Sequence, residues 1–157
     1  IIERIRGTPV RIESLIGCIP QEILKLKKGN FWSIQEHIGH LVSIESLMTG
    51  RLDDYESGKI ELRAADMTNK ETEESSYNEK SIKLILEELR RVRDKTVKRI
   101  ESLSPEQFSK TALHPRLYVP MRLVDAMYFF AEHDDYHLAR MSELIQIYKS
   151  KTIVNIQ

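Results

Sequence analysis

Leu123, Ala126, Phe130, His133, His137, Met141, Leu144 and Tyr148 fall on one face of an α-helix, in a stripe about seven turns long. An apolar stripe of that length restricts the chain to helix packing, because the face has to be covered by other helices. Two histidines interrupt it. At about 100° per residue, positions i and i+4 stack, so His133 and His137 point at one spot. An imidazole entering a core unpaired costs roughly 1–3 kcal/mol, so the pair needs a hydrogen-bond partner or a metal. A metal would need a third ligand from elsewhere in the chain.

Three more stretches carry the same period. Residues 1–19 present Ile5, Ile12, Leu15, Ile16 and Ile19. Thr8-Pro9 either starts this helix, with Thr8 as N-cap, or Pro9 kinks a helix that begins at Ile1 or upstream. Ser33-Ile34-Gln35-Glu36 is a capping box opening a second helix over residues 34–57, stopped by Gly58. Its stripe of Ile34, Ile38, Leu41, Ile44, Met48, Leu52 and Tyr55 is interrupted by His37 and Glu45, with His40 at the edge. The third helix, residues 78–103 with Asn78 as cap, presents Ile82, Ile85, Leu86, Leu89, Val92, Thr96, Ile100 and Leu103. Arg93 lies inside that stripe and reads as a side chain snorkelling to the surface. His114-Pro115 and the stretch to Pro120 read as a loop, with His114 solvated, and Pro120 introduces the fourth helix over residues 121–149. The tail from Thr152 to Gln157 has no helical period.

Residues 59–77 are polar and long for a helix–helix connection, which predicts an exposed crossover running the length of a bundle. Helices two and three are then parallel. Scarce Gly and Pro, with four amphipathic helices and no repeat, predict an all-α fold: a four-helix bundle on one core, in a single domain over residues 1–157. Lys and Arg together number 24 and so do Asp and Glu, so no net field favours nucleic acid or an anionic membrane. No apolar run approaches a membrane span. Cys18 is alone, which excludes an internal disulfide framework and makes a reducing, cytoplasmic setting the expectation; it reads as a small core residue.

Two motifs then coincide. Trp32-Ser33-Ile34-Gln35-Glu36-His37-Ile38-Gly39-His40-Leu41, followed much later by Ala131-Glu132-His133-Asp134-Asp135-Tyr136-His137-Leu138, resembles the DinB-like superfamily. Pro120-Met121-Arg122-Leu123-Val124-Asp125 resembles it too. The resemblance implies an up-down-down-up four-helix bundle with a divalent metal on three histidines, which here are His40, His133 and His137. It also implies relatives that are metal-dependent hydrolases or transferases using low-molecular-weight thiols such as bacillithiol or mycothiol, and it gives no reason to expect DNA binding. The helical wheel sets His37 nearer the inner face than His40, whereas the family pattern selects His40; His37 is then a hydrogen-bonding neighbour.

Three neutral imidazoles leave coordination positions open for water or substrate, the arrangement of catalytic sites. The expectation is a small-molecule enzyme, either a hydrolase or a thiol S-transferase. The alternative is a metal-stabilised binding or sensing bundle, or a scaffold with a vestigial site. Imidazole ligation suits zinc or nickel first, with iron, manganese or copper behind them. Glu45 and Asp134 are placed to orient the imidazoles, whereas Glu132 and Asp135 point away to solvent. Tyr128 and Phe129, off the inner stripe, suggest a homodimer. An open position facing a cleft would favour chemistry over structure, and a basic rim would favour a thiol.

Overall fold

The computed structural model describes residues 1–154, with side chains through residue 150. Its elements are α1 (Ile2–Ile16), α2 (Gln21–Leu24), α3 (Ile34–Ser43), α4 (Glu45–Glu56), α5 (Lys70–Glu74), α6 (Ile82–Glu101), β1 (Thr111–Leu113), β2 (Pro120–Arg122) and α7 (Leu123–Val154). Ser33 starts α3 as the capping box requires. Its Oγ accepts from Glu36 N at 3.0 Å and its own N–H donates to Glu36 Oε2 at 2.7 Å. Gly58, at φ +69°, ends α4 in the left-handed conformation, and Lys59 N–H closes on Asp54 O at 2.9 Å.

Contacts between helices give the directions. Arg6 pairs with Glu101 and Glu13 with Arg90, so α1 and α6 are antiparallel. Glu45 meets Arg93 and Thr96, while Asp53 and Glu56 meet Arg99, so α3–α4 runs parallel to α6. His37 and His40 face His137 and His133, so α3–α4 opposes α7. The result is the up-down-down-up bundle, with residues 59–77 as the crossover.

Several boundaries differ from expectation. The second helix is interrupted at Ile44, where Leu47 N–H bonds Ile44 O one residue short of the α register and Ser46 Oγ takes the Ser43 carbonyl. Asn78 does not cap the third helix, which begins at Ile82; Asn78 Oδ1 accepts from Ser33 Oγ instead. Helix one stops at Ile16 rather than Ile19, with Pro9 inside it. The expected loop, 114–119, is the tip of a hairpin over 111–122 in which Ala112 pairs with Met121, and Leu113 also bonds the crossover through Ile60 O and Leu62 N. Three-residue strands are too short to show alternation in a sequence. The last helix continues past 149 to Val154; the rest of the expected tail, residues 155–157, lies outside the described residues. Cys18 is exposed, beyond the end of α1, and is not a core residue.

The crossover is mostly exposed, but it contains α5 and buries Leu62, Thr72 and Tyr77. Tyr77 lies on Gly39, where an added Cβ would stand 2.2 Å from the ring. That ring is pinned by Ser43, whose Oγ lies 2.9 Å from the phenol oxygen, so it cannot yield cheaply. Gly39→Ala should therefore cost about 1–3 kcal/mol by overpacking. At Gly50 the obstacle is the tip of Arg63, a flexible side chain. Thermal unfolding should show a larger fall in Tm for Gly39→Ala than for Gly50→Ala; equal falls would sink the argument.

The core is not one cluster, as expected, but two. Ile5, Leu52, Val97, Ile100, Leu123 and Met127 belong to the first, and Ile12, Ile34, Ile38, Leu89, Met141 and Ile145 to the second. A buried polar layer lies between them.

Candidate metal centre

The layer is built on Arg93. It is not a snorkelling side chain: it is 1% exposed, and its guanidinium joins three helices. Nε donates to Glu45 on α4, and Nη1 donates to Asp134 on α7. Nη1 also donates to Ile5 O on α1 at 3.0 Å. Pro9 has no N–H, so the Ile5 carbonyl loses its helical partner, and Arg93 replaces it. Thr8 Oγ1 donates to Asp134 Oδ2 at 2.6 Å, and Thr96 Oγ1 donates to Glu45. Burial pushes the Glu45 carboxyl up, partly offset by Arg93 and Thr96. Glu45 and Asp134, expected to orient imidazoles, hold Arg93 instead. Asp135 and Glu132 do not simply face solvent: Arg4 pairs with both, and Arg11 pairs with Asp135.

Above this layer four histidines meet. His133 Nε2 lies 3.3 Å from His40 Nε2 and 3.2 Å from His137 Nε2, and one ligand nitrogen from each of the three rings falls within 4.8 Å of the others. Nitrogens bound at about 2.0–2.1 Å around a tetrahedral ion are separated by roughly 3.4 Å, which the two separations from His133 Nε2 match. His40 Nδ1 lies 3.0 Å from Thr72 Oγ1, supplied by the crossover. His137 Nδ1 lies 2.8 Å from His37 Nδ1. In the tautomers that place the Nδ1 protons of His40 and His137 toward Thr72 and His37, the Nε2 lone pairs are free to bind an ion. His133 Nδ1 is buried without a partner among the described residues.

All four imidazoles are held neutral at pH 7. Burial, then the charge of neighbouring residues, lowers His37 to about 4, His40 to about 3 and His137 to about 2, and burial lowers His133 as well. Neutral imidazole is the form that binds a divalent cation. The donor set therefore fits a metal in chemistry and in spacing. His37 meets the cluster through the far nitrogen of His137, outside the group of three ring nitrogens. The edge position of His40 on an ideal helix is brought inward by the way α3 packs against α7.

Sequence reasoning did not anticipate Thr72 or Trp32. The Trp32 ring lies over the cluster, 4.7 Å from the His40 ring and stacked at 6.1 Å on His137, with its Nε1 donating to Glu73 at 2.6 Å. Thr72 sits in a stretch with no apolar residue and had no periodic signal at all. Removing its hydroxyl while keeping its shape, Thr72→Val, should weaken metal affinity by about tenfold, the lower range for partners that orient a ligand. Calorimetric titration with zinc would check this, and an unchanged affinity would remove Thr72 from the site.

His40 and His133 also form part of the wall of a cavity of about 480 Å³, together with Ile44, Met48, Phe129 and Phe130. Its volume is in the range of small-molecule sites. His114, expected to be solvated, is 4% exposed and lines the same cavity, because the hairpin turns it inward against the crossover.

Comparison with known proteins agrees with this architecture. YfiT from Bacillus subtilis, a probable metal-dependent hydrolase of unusual four-helix-bundle topology, superposes with a TM-score of 0.80 at 16% identity, covering 94% of this chain and 85% of that one. A mycothiol-dependent maleylpyruvate isomerase superposes with a TM-score of 0.68 at 8% identity, covering 88% of this chain and 57% of that one. At these identities the likeness is one of fold. No curated protein matches the sequence. The sequence model of the DinB superfamily matches residues 4–141, and the chain belongs to that superfamily.

Proposed function

We propose that this protein is a divalent-metal-dependent enzyme acting on a small molecule, with His40, His133 and His137 holding the ion through Nε2. The observation that carries the reading is that the three nitrogens converge where His40 and His133 enter the cavity wall. An ion held there would stand beside a space large enough for a substrate, which favours chemistry over a metal-stabilised binding or sensing bundle. Bound zinc or nickel would supply Lewis acidity, bringing a water to a pKa near 7 or a thiol to its thiolate. The fold shared with a probable metal-dependent hydrolase and with a mycothiol-dependent isomerase supports both nucleophiles. The chain's own part is to keep the imidazoles neutral, orient two of them through Thr72 and His37, and cover them with Trp32.

Among the described residues no helix is long and apolar enough to cross a membrane. Exposed, unpaired Cys18 suits a reducing compartment, so a cytoplasmic location belongs to the same reading. Tyr128 and Phe129, both exposed on α7, are the surface on which two copies would associate.

The test is elemental analysis of protein purified without added metal, followed by assays of the zinc- and nickel-loaded forms. Hydrolysis of p-nitrophenyl esters reports the water arm, and thiol conjugation to 1-chloro-2,4-dinitrobenzene the thiol arm. Metal content that is negligible and unaffected by His133→Ala would end the proposal.

A further inference from the structure

Arg51 is a buried cation without an acid. It is 9% exposed, and no carboxylate among the described residues comes within ion-pair distance of it. Its one hydrogen bond is from Nε to Arg63 O at 3.3 Å, which leaves the terminal nitrogens unpartnered. Asp54, the nearest candidate, is taken by Arg63 through Nε at 3.0 Å and Nη2 at 2.9 Å. Burial lowers the pKa of the Arg51 guanidinium, partly offset by Tyr55 and Asp54, and nearby Arg116 acts in the same direction as burial. Two guanidiniums stand together here; Asp54 acts on Arg51 from beyond ion-pair distance, and Asp66 is the carboxylate that lines the same cavity.

His114 adds a third donor. Its Nδ1 accepts from Leu117 N at 3.1 Å and Arg116 N at 3.3 Å, so its proton sits on Nε2. It is neutral, because burial and then Arg51 and Arg116 lower its pKa. Its Nε2–H has no acceptor among the described residues. Arg51, Arg116 and His114 all line the cavity that His40 and His133 enter. Along α3–α4, His40, Ile44, Met48 and Arg51 follow one face, and 11 residues correspond to about 16 Å of helix. The wall between the two ends is apolar, formed by Ile44, Leu47, Met48, Ala126 and Phe130.

We infer that Arg51, with His114 and Arg116, is a carboxylate subsite, and that the substrate is an organic acid whose apolar body spans the cavity from this subsite to the histidines. A guanidinium fork with an adjacent N–H matches a carboxylate in geometry and charge. The inference rests on the metal-dependent reading for what happens at the histidine end, but the binding it asserts does not require the metal.

Isothermal titration with 4-phenylbutyrate and its neutral isostere 4-phenylbutyramide tests it on the zinc-loaded full chain. The acid should bind at least about tenfold more tightly than the amide. Arg51→Met should bring the two affinities together, while His133→Ala, which removes a histidine at the other end, should leave the preference in place. Should Arg51→Met fail to fold by circular dichroism, Arg51→Lys carries the test: the charge remains, the fork is lost, and the preference should fall severalfold. Equal binding of acid and amide in the parent, or binding of neither, overturns the inference. So does a preference that survives both Arg51 changes, or one that vanishes in His133→Ala, since the acid would then sit on the metal. A protein that takes up no zinc yet prefers the acid would sink the enzyme reading and leave the subsite standing.

Discussion

Arg93→Ala should destabilise this protein by about 3–5 kcal/mol, a large part of the roughly 5–15 kcal/mol that a domain of this kind has in total. The side chain is 1% exposed, and removing it leaves two buried carboxylates, Glu45 and Asp134, facing each other without a cation. It also strands the Ile5 carbonyl that Pro9 cannot serve. Urea unfolding followed by circular dichroism measures the loss. The penalty comes from the unpaired charges rather than from the intrinsic strength of the ion pairs, which a second variant can show. Replacing all three partners by apolar residues, Glu45→Leu with Arg93→Met and Asp134→Leu, should be more stable than Arg93→Ala alone. If the triple variant is the weaker one, the network stabilises by attraction and the desolvation argument is wrong.

His133→Ala should abolish tight metal binding, a loss greater than the roughly 10–100-fold that partners of a ligand contribute. Its Nε2 is the one within 3.3 Å of both other ring nitrogens, so nothing else in the layer can replace it. His40→Ala should lose affinity to a similar extent. His37→Ala should have the smaller effect of a residue that orients His137, and His114→Ala should spare binding altogether. The measurement is calorimetric titration of zinc into metal-free protein. Undiminished affinity in His40→Ala with loss in His37→Ala would falsify the choice between those two histidines and favour the helical wheel. If every single variant binds as the parent does, there is no metal site here.

What periodicity could reveal, it revealed. The four helices, the Ser33–Glu36 capping box, the stop at Gly58 and the parallel run of the second and third helices are local or nearly local properties, set by apolar spacing, backbone capping and loop length. The meeting of His133 with His137 is likewise a consequence of 3.6 residues per turn. The three-residue strands of the hairpin gave no pattern to detect, and the inward turn of His114 followed from that hairpin.

The same physical signal was present at Arg93 as at the histidines, a polar group inside an apolar stripe, and it admitted two outcomes. A long cation can reach solvent or be neutralised inside, and only its surroundings decide which. Here the partners are 48 and 41 residues away, on two other helices, and the backbone acceptor is on a fourth element, exposed by a proline. Thr72 on His40, Trp32 over the rings and Arg51 without a counter-ion share that character. The sequence by itself determined which faces are buried, because burial follows the repeat of the helix. Which polar groups meet on those faces was decided by the tertiary structure alone, because pairing and desolvation depend on distances between helices that no period along the chain encodes.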